Sequence, residues 1–386
     1  MSAAHWRRAM NAGMGMAGRS GALPLPSRAS AQSAAPATAP DPYADSDAPA
    51  WLKYLWRTLA PRHVFVFLFV MVFPFVATPF ITFQVAAQSL VLGLIALSLT
   101  FLGGYGGMVS LAQMTVAGMA GYSVAIFGNS TGGEIHLLWP WWAYLPVSLL
   151  ICTLAATLIG WLSVRTEGIY TIMITLAIGV AFYYLVLQNY SLFNGFQGLR
   201  EVYPPAVLGV AWRDPLPFYF LTLFCSMAAY FFVRWVVRAP FGIALQGIRD
   251  NPRRMGALGF NVVAHRVAAY ALAGFIAAVG GVLLVWYNGL VTPGSVSTSW
   301  LINILVIAVL GGMKHPIGAF LGAIVFVLLQ TFAIDLIDRE RFNLVIGGVF
   351  LAIVLFSPDG LLGLWAKLRS RFGPTQAPTS HQRRLK

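Results

Sequence analysis

The sequence predicts an all-α polytopic membrane protein with about ten transmembrane helices and both termini in the cytoplasm. Three observations predict this fold class. The 386 residues are 58% hydrophobic and 10% charged, whereas soluble domains are roughly 45–50% apolar and about 25% charged. The apolar residues form runs close to the roughly 20 residues with which a helix crosses a bilayer. The charged residues lie between these runs or at their ends.

The chain divides into four predicted regions. Residues 1–50 are rich in Ala, Ser, Gly and Pro without a sustained apolar run, which predicts a disordered N-terminal arm. Residues 51–63 are basic and amphipathic, and they predict a segment lying in the membrane interface. Residues 64–365 are the predicted transmembrane domain, and residues 366–386 are a basic cytoplasmic tail.

The transmembrane domain contains ten candidate spans. The eighth is short and ends at Gly311-Gly312, so we expect it to be broken or to cross incompletely. The third is the least hydrophobic because it carries Ser110, Gln113 and Thr115. We therefore expect it to face protein or a polar pathway rather than lipid. The ten spans are 64–82, 85–105, 108–128, 140–162, 169–189, 216–237, 265–287, 300–313, 317–335 and 342–358.

The basic residues orient these spans. With ten spans, 21 of the 25 Lys and Arg residues fall on the side that holds the N-terminus. Basic residues mark the cytoplasmic side of membrane proteins. The net charge of +13 is therefore interpreted as a topology signal, and the bilayer rather than nucleic acid is the predicted partner.

A cytoplasmic loop over residues 238–264 contains the pattern of a short helix. Asn251 is a good N-cap, Pro252 suits the first helical position, and Gly259 suits the residue just past the end. Arg253 and Arg254 fall in the first turn, where the helix dipole disfavours positive charge. These arginines predict a contact with anionic lipid headgroups or with acidic groups on a partner. The alternative is an ordinary basic topology loop.

Several classes of function find no support in the sequence. No phosphate-binding G-x-x-x-x-G-K-[ST] motif occurs, and neither an H-E-x-x-H motif nor paired carboxylates indicate a membrane enzyme. The histidines have no spacing typical of a metal site. No predicted span carries a central Asp, Glu, Lys or Arg. An ion-coupled carrier usually needs such a group within the membrane, so this class is disfavoured.

Four stretches in order resemble the inner-membrane permeases of branched-chain amino acid ABC transporters, the LivM type. The first resembles G-x-x-S-L-G-H…G-x-G-A-Y and the second R-x-x-G-x-Y…T-L-A. The third resembles the cytoplasmic A-I-R-D-N-P…A-x-G-x-N segment, and the fourth the closing P-x-G-L-x-G. In this chain they are residues 106–111 with 118–122, 165–170 with 175–177, 244–261, and 357–363.

The chain departs from the family pattern in regions that we expect to line the pathway. Ala112-Gln113 stands where the family commonly has Gly-His, and residues 193–199 replace T-G-G-x-x-G-L. Residues 313–315, Met-Lys-His, replace small residues after the glycine pair. The residues expected to line the pathway are Ser110, Gln113, Thr115, Thr175 and Asn194. At helical spacing Ser110 and Gln113 can share one face of the third span, and we expect that face to line the translocation route.

The resemblance also implies an ABC importer permease fold and an assembly in the bacterial inner membrane. It implies a second permease of similar fold, two ABC ATPase subunits and a solute-binding protein on the far side. This chain itself would bind no cofactor, since ATP and Mg would be held by the ATPase subunits. The ATPase-coupling helix would comprise Arg249, Asp250, Asn251, Pro252, Arg253, Arg254 and Gly259.

The substrate implied by the resemblance is a branched-chain or other small apolar amino acid. Related permeases share the scaffold, so urea, a short amide or an aromatic-derived acid is the alternative. A third hypothesis is a stand-alone channel or facilitator that uses the Gln113 region as its filter. A neighbouring ATPase gene would distinguish the first two hypotheses from the third.

Overall fold

The structure is a computed structural model, and it describes residues 71–363 except 72, 129, 132–136, 167, 207–208, 210, 337–346, 349–350 and 352–359. The predicted N-terminal arm, the interfacial segment and the basic tail lie outside the described residues. So do part of the first predicted span and most of the tenth.

The described residues are almost entirely helical. The first helix, α1, is one continuous rod that begins and ends in wider π-helical turns, Ile81–Ala87 and Phe101–Tyr105. The helices are α1 Ile81–Tyr105, α2 Gln113–Phe127, α3 Trp141–Ser163, α4 Ile169–Gln188, α5 Tyr190–Phe193, α6 Pro215–Arg238, α7 Pro240–Asp250, α8 Pro252–Ala257, α9 Val262–Asn288, α10 Thr298–Gly311 and α11 Pro316–Leu336.

Five of these helices, within the part of the chain that the structure describes, are long and apolar enough to cross a membrane: α1, α3, α4, α6 and α9. The pair α10 and α11 also qualifies as one unit, but it is bent by 117° at the intervening break. The eighth predicted span does end at Gly311. The all-α, multi-pass architecture is therefore confirmed, while the count of ten spans and the cytoplasmic termini stay predictions.

The third predicted span, 108–128, is wrong at its beginning. The chain is not helical from Gly107 to Ala112, and α2 starts only at Gln113. Gly107 has φ +67°, a left-handed conformation that a continuous α-helix does not contain. Ser110 therefore lies in an irregular segment, and the expectation that Ser110 and Gln113 share one helical face is incorrect.

Helices α1 and α9 form the centre of the structure. Helix α9 packs against α1, α2 and α3, and α11 packs along α1. Small residues allow these close approaches. A methyl group on Gly281 of α9 would collide with the backbone of Ala117 on α2, and one on Gly280 would lie 2.6 Å from Ile95 on α1. These glycines therefore set the distances between the central helices.

Two short strands join loops on one face. Strand β1, Leu199–Arg200, pairs antiparallel with β2, Leu290–Val291. Thr131 also forms a bridge with Arg200. The loops after the third, fifth and seventh predicted spans contain these three segments, and all three loops are predicted to be non-cytoplasmic. Their contact agrees with the predicted direction of these spans across the membrane.

Candidate functional site

Segment 238–264, which the sequence predicts to be a cytoplasmic loop, contains two consecutive helices, α7 and α8. The Asn251 side chain accepts a hydrogen bond from the Arg254 backbone amide at 3.0 Å, so it caps α8. Pro252 is the first residue of α8, and Gly259, with φ +90°, follows its end. The predicted short helix is therefore confirmed, whereas its role in coupling stays a prediction.

Helix α8 is supported by α7. A six-residue helix is marginal by itself in water, and here Met255 lies against Gly247 of α7, where a methyl group would stand 2.9 Å from the Met255 sulfur. Leu258 remains 65% exposed, so it does not share this contact. Arg253 and Arg254 are also exposed. The outer face of α8 therefore presents two arginines and a leucine.

Arg249, at the end of α7, connects this segment to the membrane domain. Its Nη1 donates a hydrogen bond of 2.6 Å to the carbonyl oxygen of Gly104, in the last turn of α1. Carbonyls at a helix C-terminus lack intrahelical partners and favour a cation. The guanidinium also pairs with Asp250 at 2.8 Å, although both side chains are solvent-accessible.

Gly104 lies where α7 and the break between α10 and α11 both approach the end of α1. On one side it binds Arg249, and on the other a methyl group there would collide with the carbonyl of Met313, in the break between α10 and α11. A methyl group on Gly107 would lie 2.5 Å from Cγ of Arg249. Only glycine therefore allows α7, α1 and the α10–α11 break to meet at this point.

The irregular segment 107–112 carries one of the residues predicted to line the pathway, Ser110, and a second, Thr175, contacts this segment. Ser110 is fully buried, and its Oγ accepts a hydrogen bond from the Ala112 amide at 3.3 Å. Thr175 on α4 is also fully buried, and its Oγ1 accepts from the Leu111 amide at 3.1 Å. The two side chains therefore satisfy backbone groups that the interrupted helix leaves without helical partners.

Gln113 makes an interhelical contact. It is 1% exposed, and its Oε1 accepts a hydrogen bond of 3.2 Å from Ser98 on α1. Thr115 is fully buried and its hydroxyl oxygen has no hydrogen-bond partner. There is little free space beside this oxygen, because a methyl group added to Gly179 of α4 would stand 2.9 Å from it. Thr115 thus carries an unsatisfied polar group in the centre of the domain.

Asn194 is separate from this group. It adopts a left-handed conformation after α5, and its Nδ2 donates to the Gly198 carbonyl at 2.9 Å, within the loop that leads to β1. The structure therefore brings Ser110, Gln113, Thr115 and Thr175 to the α1–α2 break and its surroundings, but it gives Asn194 a local contact.

The sequence reasoning missed Ser98 and Gly104. Serine is common in transmembrane helices, and no sequence pattern indicates that Ser98 contacts Gln113. Its hydroxyl also donates a hydrogen bond to the Ile95 carbonyl at 2.6 Å. Residues 103–107, Gly-Gly-Tyr-Gly-Gly, form a glycine-rich separator between the second and third predicted spans. This pattern does not indicate which residue contacts Gly104.

Known proteins resemble this chain over most of its length. The model of the family described as branched-chain amino acid transport system / permease component matches residues 81–354. The high-affinity branched-chain amino acid transport system permease protein LivM of Escherichia coli (strain K12) is 24% identical over 314 residues, covering 74% of this chain and 72% of that protein.

Other relatives carry different names. The nucleoside ABC transporter permease protein NupC of Lactococcus lactis subsp. cremoris (strain MG1363) is 25% identical, covering 66% of this chain and 83% of that protein. The ribose import permease protein RbsC of Haemophilus influenzae (strain ATCC 51907 / DSM 11121 / KW20 / Rd) is 19% identical, with coverages of 72% and 85%. No solved structure matches the chain at a significant level.

The matched region includes α1 to α11, the α1–α2 break and segment 238–264. It therefore contains both the buried polar residues and helices α7 and α8. The resemblance drawn from four short motifs is confirmed, and this multi-pass membrane protein belongs to the family of permease components of branched-chain amino acid transport systems.

Proposed function

We propose that this chain forms the translocation pathway of an ABC importer for branched-chain or related small apolar amino acids. It would act in the bacterial inner membrane with a second permease of similar fold, a solute-binding protein and two ATPase subunits. ATP hydrolysis would occur on the ATPase subunits, and this chain would catalyse no reaction. The observation that carries the proposal is the hydrogen bond from Arg249 to Gly104, because it joins the cytoplasmic segment to the α1–α2 break.

The coupling route begins at α8. Its exposed Arg253 and Arg254 would contact acidic groups of an ATPase subunit, and its Met255 rests on α7. A displacement of α8 is thereby passed to α7 as a packed unit. Arg249 then passes the displacement to Gly104, at the end of α1. The irregular segment that follows carries Ser110 and precedes Gln113, so its rearrangement would change the pathway.

The composition of the break favours a small substrate with an apolar side chain. Its buried polar groups are hydroxyls and one amide, on Ser98, Ser110, Gln113, Thr115 and Thr175. They supply hydrogen bonds but no charge, and apolar residues surround them. A narrow, mostly apolar route with few polar groups suits an amino acid whose specificity is set mainly by the solute-binding protein.

A second candidate substrate class is a nucleoside or a sugar. It is favoured by the similarity to permeases named for nucleosides and ribose, at identities comparable to that of LivM. The unpartnered hydroxyl of Thr115 is also a group that could bind a hydroxylated substrate. Uptake of leucine, adenosine and ribose, measured side by side with the same assembly, distinguishes the two classes.

Reconstitution into liposomes tests the proposal. With the partner permease, ATPase subunits and binding protein, we expect ATP-dependent accumulation of leucine, isoleucine or valine. With the permeases alone, we expect no accumulation against a gradient. Accumulation driven by a proton or sodium gradient, without ATP, would contradict the ABC mechanism and support a secondary carrier.

A further inference from the structure

A basic cavity lies beside the coupling route, at the cytoplasmic ends of α1 and α6. Its volume is about 450 Å³. Arg234 and Arg238 lie one helical turn apart on α6 and both line it. His315 and the first residues of α11 line the opposite side. None of the described residues lining this cavity is Asp or Glu.

The polar groups of the cavity are arranged for an anion. The Tyr230 hydroxyl accepts a hydrogen bond from Arg234 Nη1 at 3.4 Å, which holds this guanidinium at the cavity wall. Pro316 starts the 21-residue helix α11, whose N-terminal dipole adds positive potential. Two guanidiniums, the phenols of Tyr230 and Tyr105 and a helix N-terminus therefore converge on one space.

An exposed tryptophan beside the cavity-lining residues marks the expected level of the membrane interface. Trp235, the neighbour of Arg234 in sequence, is 69% exposed on the outside of α6. Tryptophan is enriched at the level of lipid headgroups. Val237, Ile317 and Leu362 supply apolar surface to the same cavity. An anionic group that fills it can therefore keep an attached hydrocarbon chain in contact with apolar side chains.

We infer that this cavity binds the phosphate headgroup of an anionic phospholipid from the cytoplasmic leaflet. Basic pockets between transmembrane helices on that side are suited to such headgroups. Arg234 and Arg238 bind the phosphate, the Tyr230 hydroxyl orients Arg234, and the apolar residues contact the first part of the acyl chains. The site is distinct from the exposed face of α8, because neither Arg253 nor Arg254 lines the cavity.

The position of the site gives the lipid an influence on coupling. Tyr105 lines the cavity and lies within electrostatic range of both Arg234 and Arg249. It directly follows Gly104, which binds Arg249. A lipid phosphate that attracts Arg234 therefore changes the surroundings of the residue next to the coupling contact.

Lipid binding by the purified full-length protein tests the site. Native mass spectrometry in detergent, with added phosphatidylglycerol or phosphatidylcholine, measures how many lipids bind and how tightly. We expect phosphatidylglycerol to bind tightly and phosphatidylcholine to bind much more weakly. The double variant Arg234→Gln, Arg238→Gln should weaken it roughly 30-fold, because each basic residue near an anionic surface contributes about 1 kcal/mol.

A matched variant removes the same charge elsewhere. Arg253→Gln with Arg254→Gln takes two positive charges from the exposed face of α8 and should leave the lipid affinity unchanged. An equal loss in this control would show that general surface charge holds the lipid, and it would overturn the site. Equal binding of phosphatidylcholine would overturn it as well.

Two further measurements complete the test. Millimolar inorganic phosphate should not displace the lipid, since it lacks an acyl chain; displacement would assign the cavity to a soluble anion instead. If the double variant does not fold, Arg238→Gln alone, at an exposed position, should weaken binding roughly fivefold. Unchanged binding in that single variant would contradict the proposal.

Discussion

The hydrogen bond between Arg249 and Gly104 offers the sharpest test of coupling through segment 238–264. Substituting Arg249→Gln removes the guanidinium that reaches the end of α1. Glutamine is a good helix former, so α7 should stay helical. The other basic residues of the segment remain, so its cytoplasmic location should not change.

The expected magnitude follows from the geometry. A hydrogen bond with a charged donor contributes about 1.5–3 kcal/mol, and the Arg249–Gly104 bond is short, at 2.6 Å. The Arg249 side chain is 38% exposed, so water competes and the lower end applies. A loss of about 1.5 kcal/mol corresponds to roughly a tenfold change in an equilibrium.

The assay separates coupling from assembly. Co-purification of the ATPase subunits reports docking, and ATP-driven uptake into liposomes reports transport. For Arg249→Gln we expect docking to be retained, because the α8 arginines are intact, and uptake to fall by roughly tenfold. A fall in docking of the same size would instead assign Arg249 to the ATPase interface.

Asp250→Asn is the matched control, because it removes the negative charge that pairs with Arg249 and keeps the bond to Gly104. Exposed ion pairs contribute about 0–1 kcal/mol, so uptake should change by less than roughly fivefold. If Arg249→Gln transports like the native protein, or if both variants lose the same activity, the contact with Gly104 does not transmit coupling.

Three other variants test separate parts of the structure. Gln113→Leu removes an interhelical hydrogen bond worth about 0.5–1.5 kcal/mol, so the stability to thermal unfolding should fall by that amount. Loss of uptake in protein that remains folded would show that Gln113 lines the pathway, and unchanged uptake would show that it only joins two helices. Gly281→Ala places a methyl group against the backbone of α2 and should cost about 1–3 kcal/mol in thermal unfolding. Arg253→Glu with Arg254→Glu should leave membrane insertion and stability intact but release the ATPase subunits.

Two of these variants have a matched control. Gly256→Ala, on α8, meets nothing within 4 Å, so its stability should not fall, and a fall equal to that of Gly281→Ala would contradict the packing argument. Charge reversal at Arg383 and Arg384, in the C-terminal tail, should leave the ATPase bound. Full ATPase association and transport in the α8 variant would reduce segment 238–264 to a topology loop.

Local sequence signals predicted the short helix α8 correctly. Asn251, Pro252 and Gly259 each act within a few residues of their own position, through a cap, a fixed φ angle and a left-handed exit. Such effects need no tertiary information. The long apolar helices were predictable for a similar reason, because the length of a span is set by the bilayer.

The beginning of α2 was not predictable from hydropathy. Residues 108–112 are apolar enough to extend a span, and only the left-handed Gly107 and the contact of Leu111 with Thr175 show that the chain is irregular there. The prediction that Ser110 and Gln113 share one helical face is therefore wrong, because the helix does not extend to Ser110. The partner of Gln113 proved to be Ser98, 15 residues earlier, across the glycine-rich break.

Glycine illustrates the same limit. Gly281 permits a close approach between helices, whereas Gly259 and Gly107 supply left-handed backbone. The residue type is identical, and only the surroundings distinguish the two roles. The sequence shows where these glycines lie, but it does not show which of them interrupts a helix and which allows two helices to pack closely.

The two faces of the structure are held together by different kinds of bond. On the face predicted to be non-cytoplasmic, Thr131 and Arg200 exchange two backbone hydrogen bonds of 2.9 and 3.0 Å, and β1 pairs with β2. On the face predicted to be cytoplasmic, the end of α1 is held by a side chain, Arg249, which is partly open to water. A single side-chain contact costs less to replace by water than a set of paired backbone hydrogen bonds. We therefore expect a force applied at α8 to move the cytoplasmic end of α1 before it disturbs the opposite face.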